Sequence, residues 1–289
     1  MDVLEKIKNI FKQAGMLKKL IYINLSIFFL VFVVNALGFL FQLNSNFIVK
    51  YLALPASFEE FIFKPWTVIS YGFLHTSFLH ILFNLIALYY IGQLFEQFFT
   101  AKQLLHFYLL GTLFGGMVFM FSYNFFPVFK SITNNSILLG ASAGISAIFI
   151  GLATYTPNYE LKMPLIGFVK LWVLACIWVA FDLIQLPTGN AGGRLAHIGG
   201  AFLGFIYVSY VSNKKFTNYK FFEFFFKKEN TLKTVYKSGK KTARPTKKTN
   251  KDEMQQKIDA ILDKISKSGY ETLTNEEKEL LFRQGKNKN

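Results

Sequence analysis

Six stretches of this chain are apolar for close to the length that a lipid bilayer demands, at about 21–42, 77–98, 103–123, 138–156, 163–186 and 195–212. A hydrocarbon core of about 30 Å takes roughly 20 apolar residues per helix. With 35 phenylalanines in 289 residues and a positive mean hydropathy of +0.32, an ordinary water-soluble domain of this size is excluded. The stretches at 138–156 and 195–212 are short and rich in small residues, so other helices must shelter them. The predicted fold is all-α: a polytopic membrane protein with a bundle of six transmembrane helices over 21–213.

Charge orients the bundle. Lysines at 6, 8, 12, 18 and 19 precede the first apolar stretch, and thirteen Lys or Arg against two Glu lie between Lys214 and Lys251. Positive flanks stay on the cytoplasmic side, which places both termini there and agrees with an even number of crossings. The connections at 43–74, 124–137 and 187–194 then lie outside. No cleavable signal peptide is read in the first 20 residues, which are amphipathic and Lys-rich. The single cysteine, Cys176, excludes a disulfide within the chain and reads as a space filler.

This topology puts chemistry at one level. Stretches two, four and six run from outside to inside, and His80, Ser142 and His197 stand near their outer ends. Polar groups at membrane depth are costly and by default point to function. Ser142 sits among Gly140, Ala141, Ala143 and Gly144, at the expected first turn of the fourth helix, where free N–H groups favour developing negative charge. A serine there suits acyl transfer if a base is near; the same residue also serves simply as a hydroxyl bonded one turn back. His197 is the base within reach, because a neutral imidazole accepts protons near neutral pH. Gly200 and Gly204 on the sixth helix, and Gly140, Gly144, Ala147 and Gly151 on the fourth, predict close packing of the two. His80 and Asn84, spaced i,i+4, share one face of the second helix. They offer N–H donors to an oxyanion or, alternatively, glue helices together.

Ser146, one turn after Ser142 on the same face, is an alternative nucleophile. His75 is expected as a wetted histidine at the interface, and His106 as structural. Asp182 either orients a catalytic histidine or snorkels to the outer surface, and snorkelling is the favoured expectation. No metal is expected, since His75 and His80 lack the i,i+4 spacing of a zinc-binding pair and have no carboxylate with them. No cofactor is expected either.

The chain resembles the rhomboid intramembrane serine proteases over about residues 21–213. The residues that carry the resemblance are Phe73-Leu74-His75-Thr76-Ser77-Phe78-Leu79-His80-Ile81-Leu82-Phe83-Asn84, Gly140-Ala141-Ser142 and Ala196-His197-Ile198-Gly199-Gly200. Pro65-Trp66, Gly92 with Glu96, and Gly115-Gly116 also match family positions. The resemblance implies a Ser–His dyad rather than a triad, with Ser142 as nucleophile and His197 as base. It implies an oxyanion hole from Asn84, His80 and the Ser142 backbone N–H. It implies transmembrane protein substrates, cut near the outer end of a helix that has first unwound, and a substrate gate between helices two and five at Phe83, Trp172 and Trp178. Two departures stand out: Ser146 where many relatives carry an aromatic residue that packs on the catalytic imidazole, and Ala143 where glycine is common.

Beyond the bundle, Phe221, Phe222, Phe224, Phe225 and Phe226 among lysines predict a basic interfacial segment on anionic lipid, followed by a linker to about 251. The charge is accounted for by the membrane, so nucleic acid is not an expected partner. Ile258, Ile261, Leu262 and Ile265 at helical spacing, then Thr274-Asn275-Glu276-Glu277 as a capping box, predict a cytoplasmic helical hairpin over 252–285. The expected setting is a bacterial plasma membrane. Two competing functions share the sequence: a catalytically inactive rhomboid-like adaptor that binds client transmembrane helices, and a small transporter, which the clustering of polar groups at one end opposes.

Overall fold

The apolar stretches fold as helices whose ends differ from the hydropathy windows in ways that matter for the site. The computed structural model describes residues 3–43, 46–164, 166–212, 257–265 and 269–286. The chain divides into two compact units, Met1–Phe225 and Phe226–Asn289.

In the first unit, helix α1 (Val3–Gln13) precedes α2 (Met16–Leu40), which starts five residues before its predicted window. The connection that follows carries α3 (Phe47–Leu52), strand β1 (Leu54–Pro55), α4 (Phe58–Ile62), α5 (Thr67–Ser70) and a 3₁₀ turn at Tyr71–Phe73. Then come α6 (Phe78–Phe95), α7 (Ala101–Phe125), strand β2 (Ile137–Leu138) and α8 (Ser142–Tyr155). Strands β3 (Glu160–Met163) and β4 (Gly167–Lys170) lead into α9 (Leu171–Ile184), and α10 (Ala191–Ser212) closes the unit.

Two predicted windows are corrected by strand pairing. Residues 160–170 form an antiparallel hairpin, with Glu160 opposite Lys170, where the apolar count predicted the start of a helix. Gly167 at φ +88 lets the chain turn back there. Likewise β2 pairs with β1, Leu54 opposite Leu138, so the fourth helix begins only at Ser142. The fold is thus helical with two short ribbons. Among the described residues, Met16–Leu40, Phe78–Phe95, Ala101–Phe125 and Leu171–Thr188 are long and apolar enough to cross a membrane, and α8 is a shorter apolar helix.

Packing is inverted relative to a soluble protein. Phe29, Phe32 and Phe39 of α2, Phe83 and Tyr90 of α6, and Ile177 and Ile184 of α9 are exposed, as suits a protein whose surroundings are lipid. Helix α8 is the core: every residue from Ala143 to Ala153 is buried, against α6, α7, α9 and α10. The small residues work differently from the predicted stripe-on-stripe contact. On α10, a Cβ at Gly200 or Gly204 would collide with the carbonyls of Ala143 and Ala147. Gly144 and Gly151 instead turn towards α7, where added Cβ atoms would meet the Tyr108 carbonyl and the Phe107 ring. Helix α8 therefore offers backbone at 143 and 147 to one neighbour and glycines to another, because residues one position apart point about 100° apart.

A buried polar chain braces the unit around the 71–73 turn. The Asn24 amide, fully buried in α2, donates to Tyr108 Oη at 3.1 Å, and that hydroxyl donates to the Gly72 carbonyl at 2.7 Å. Tyr71 Oη donates to the Thr112 carbonyl at 2.6 Å. The 71–73 turn is thereby fixed to α7.

In the second unit, α11 covers 257–265 and α12 spans Asn275–Lys286. The predicted capping box is present: Thr274 N–H donates to Glu277 Oε2 at 2.8 Å and Glu277 N–H to Thr274 Oγ1 at 3.3 Å. Lys264 pairs with Glu277 at 2.9 Å, joining the two helices, and Ile261 and Leu273 are buried. The basic segment and linker at 214–251 lie outside the described residues.

Candidate active site

The turn at 71–75 builds the platform for Ser142. Gly140 N–H donates to the Tyr71 carbonyl at 2.9 Å, and Ala141 N–H donates to His75 Nε2 at 3.4 Å. Because Tyr71 is itself anchored to α7, the two residues before Ser142 are held from beneath. His75 is completely buried, which overturns the expectation of a wetted histidine. The chain folds it under the Gly140 loop, with its ring edge-on to His80 at 5.0 Å. Burial, and then the neighbouring His80, pull its pKa down to about 4.

Gly140 is one of the few positions where glycine is required. Its φ is +118, and a Cβ there would lie 2.7 Å from His80 Cε1 and 2.8 Å from Nε2. The chain then enters α8 directly, with Ala141 as N-cap and Ser142 as first helical residue. Ser142 thus stands among the N–H groups that a helix start leaves without intrahelical acceptors.

His197 reaches Ser142 from α10. Its Nε2 lies 2.6 Å from Ser142 Oγ, inside the range for a nucleophile and its base. The close approach of the two helices at Gly200, three residues on, is what allows it. Asn190, at φ +49, opens α10 by accepting from Gly193 N–H at 3.3 Å.

Asp182 is the main correction. It does not reach for the outer surface: it is 3% exposed and turned inward from α9. Its Oδ1 and Oδ2 lie 3.0 and 3.2 Å from His197 Nδ1, and Arg194 Nη1 donates to Oδ1 at 2.9 Å. Arg194 also bonds Gln185 and lies over the Phe181 ring. The physical reason is pairing. A carboxylate can stay buried where a cation and a hydrogen-bond donor meet it, and the turn before α10 brings Arg194 back against α9. Sequence reading counted Arg194 as part of an outer loop and missed it. Twelve residues of separation across a turn gave no periodic signal to join the two.

The remaining candidates are distributed unevenly. The His80 ring stands against Gly140 beside Ser142. Asn84 is buried one turn below and donates through Nδ2 to the His80 carbonyl at 2.8 Å. Trp178 turns from α9 towards α8, where its Nε1–H donates to Ser146 Oγ at 3.1 Å and its ring packs on Phe149. Ser146 is fully buried with its oxygen so engaged, unlike the partly exposed Ser142. Phe83 and Trp172, by contrast, are exposed on α6 and α9. Among the described residues no three His, Cys, Asp or Glu side chains group to hold a metal ion.

Comparison with known proteins places these features in context. A family profile described as Rhomboid domain matches residues 63–214, and one described as a family of unknown function (DUF6576) matches 248–287. Rhomboid protease GlpG of Yersinia pseudotuberculosis serotype I is 27% identical over 169 residues, covering 55% of this chain and 52% of that protein. The proteins of the same name from Yersinia pestis and Yersinia enterocolitica serotype O:8 match to the same extent. The chain spans about half the length of the curated relatives it matches.

Proposed function

The chain belongs to the rhomboid family, and from that premise we propose that it is an intramembrane serine endopeptidase that cuts transmembrane helices near the outer face of a bacterial plasma membrane. The observation that carries this reading is the 2.6 Å approach of Ser142 Oγ to His197 Nε2 at the start of a helix buried in the core.

In the proposed reaction Ser142 Oγ attacks the scissile carbonyl while His197 Nε2 takes the hydroxyl proton. The oxyanion accepts hydrogen bonds from Ser142 N–H and from the side chains of His80 and Asn84. His197 then gives its proton to the departing amine, leaving an acyl-serine. Water, activated by His197 in turn, hydrolyses the ester and restores Ser142. Phe83 and Trp172, on the open faces of α6 and α9, are the gate a substrate helix passes. Trp178 fits a different part, holding α9 to α8.

The accompanying topology is six crossings with both termini in the cytoplasm: four long apolar helices, plus α8 and α10 sheltered by them. The 1–20 segment, the basic 214–251 segment and the 252–285 hairpin then lie on the cytoplasmic side. The test is cleavage of a reporter transmembrane substrate in liposomes. Ser142→Ala and His197→Ala should each abolish cleavage with insertion intact. Full cleavage by either variant would sink the assignment of Ser142 and His197, and a folded parent that never cleaves would return the chain to the reading of a rhomboid-like adaptor for client helices.

A further inference from the structure

We propose that Asp182 is a positioning residue for His197, held in place by Arg194, so that the site works as a three-membered Ser142–His197–Asp182 relay in place of a two-residue pair. The inference rests on the endopeptidase reading for its purpose, and on geometry alone for its existence.

Three observations converge. Asp182 is buried, and both its oxygens lie within 3.2 Å of His197 Nδ1. A carboxylate can only accept, so Nδ1 carries the proton and Nε2 is left with the lone pair that faces Ser142 Oγ at 2.6 Å. Arg194 Nη1 also donates to Oδ1, at 2.9 Å, and so holds the carboxylate in place. The arrangement sets the tautomer in which His197 is a base towards Ser142, and it places a negative charge behind the ring that becomes positive as the serine proton moves. Asp182 follows Trp178 by one turn on the same face of α9, and Trp178 is tied to Ser146 of α8. The carboxylate is therefore delivered by a helix with a second anchor to the nucleophile's helix.

The charged and titratable groups around His197 are few. Asp182 comes from α9, Arg194 from α10 itself, and His80 from α6 on the Ser142 side. Helix α8 contributes no charged side chain, and its one titratable group, Tyr155, stands at its far end, thirteen residues from Ser142. Lys102 and His106 of α7 are separated from Gly115, where that helix meets Ala196, by at least nine residues, or about 13 Å along the helix.

Two readouts test this on the full chain in lipid nanodiscs. The first is ¹⁵N NMR of the histidines, of which there are four, with His197 assigned by its absence in His197→Ala. In the neutral ring the proton is expected on Nδ1; a proton on Nε2 in the parent overturns the proposal. The second is labelling by a fluorophosphonate, read together with the tautomer in each variant. Asp182→Asn should slow labelling roughly 10- to 10⁴-fold and release the proton from Nδ1. A purely structural Asp182 would lower labelling with the His197 tautomer unchanged, and that result also overturns the proposal. If the parent never labels, the hydrolase reading falls, and the NMR tautomer still decides whether Asp182 sets the His197 ring.

Discussion

Trp178 and Asp182 lie one turn apart on α9, and each reaches off that otherwise exposed helix to a residue beside the nucleophile. Trp178 bonds Ser146 on α8, and Asp182 bonds His197 on α10. The least buried of the long apolar helices is thus held at its inward face by two polar contacts. Such bonds within membranes contribute about 0.6–2 kcal/mol each.

Ser146→Ala should therefore keep fluorophosphonate labelling while losing about 1 kcal/mol of stability, read as a lower thermal midpoint in detergent. Loss of labelling with a normal midpoint would mean that Ser146 takes part in the chemistry.

Gly140→Ala should damage the site more than its size suggests. The backbone is in the left-handed region and the new methyl would push into the His80 ring. A conformational cost of about 1–2 kcal/mol is expected, with labelling reduced at least about tenfold as Ser142 and His80 move apart. Unchanged labelling would show that the loop has slack.

Gly200→Val on α10 should separate the two helices where Ala143's carbonyl meets the glycine. The expected result is a folded, inserted protein whose Ser142 no longer labels. Normal labelling would show that His197 does not depend on that contact.

Asn84→Ala should lower reporter cleavage by about 10²–10³-fold if its free N–H meets the oxyanion. The effect should fall on turnover, with binding of the reporter unchanged. A change in binding alone would assign Asn84 to packing.

His75 gives the stability of the unit a pH dependence. Its pKa falls from 6.5 when exposed to about 4 in the folded protein, so in that window the unfolded chain binds more protons. Stability is fully present above about 6.5 and is lost as pH falls towards 4, by up to about 3 kcal/mol. The slope of the thermal midpoint over this range should flatten in His75→Gln. An equal slope in the variant would assign the acid sensitivity elsewhere.

How much of this was legible depended on whether a residue's role is local. Ser142 at a helix start, His80 and Asn84 on one face, and the Thr274 capping box follow from spacing along one chain segment. Hydropathy also located the helices, but it ran past the β1–β2 pairing at Leu138 and the β3–β4 hairpin before Leu171, because apolar residues serve strands as readily as helices. Asp182 and His75 depart from expectation for a shared reason. An isolated polar residue in an apolar context is expected at the surface unless its partner is known, and here the partners, Arg194 on α10 and the Ala141 N–H before α8, are brought near only by the tertiary fold. Asn24 meets Tyr108 of α7 in the same way.

The most direct test of the central claim is fluorophosphonate labelling of the purified full chain in liposomes, with Ser142→Ala and Ser146→Ala alongside. The proposed mechanism predicts a labelled parent, a labelled Ser146→Ala and an unlabelled Ser142→Ala. A folded Ser142→Ala that labels like the parent would contradict the assignment of Ser142 as nucleophile.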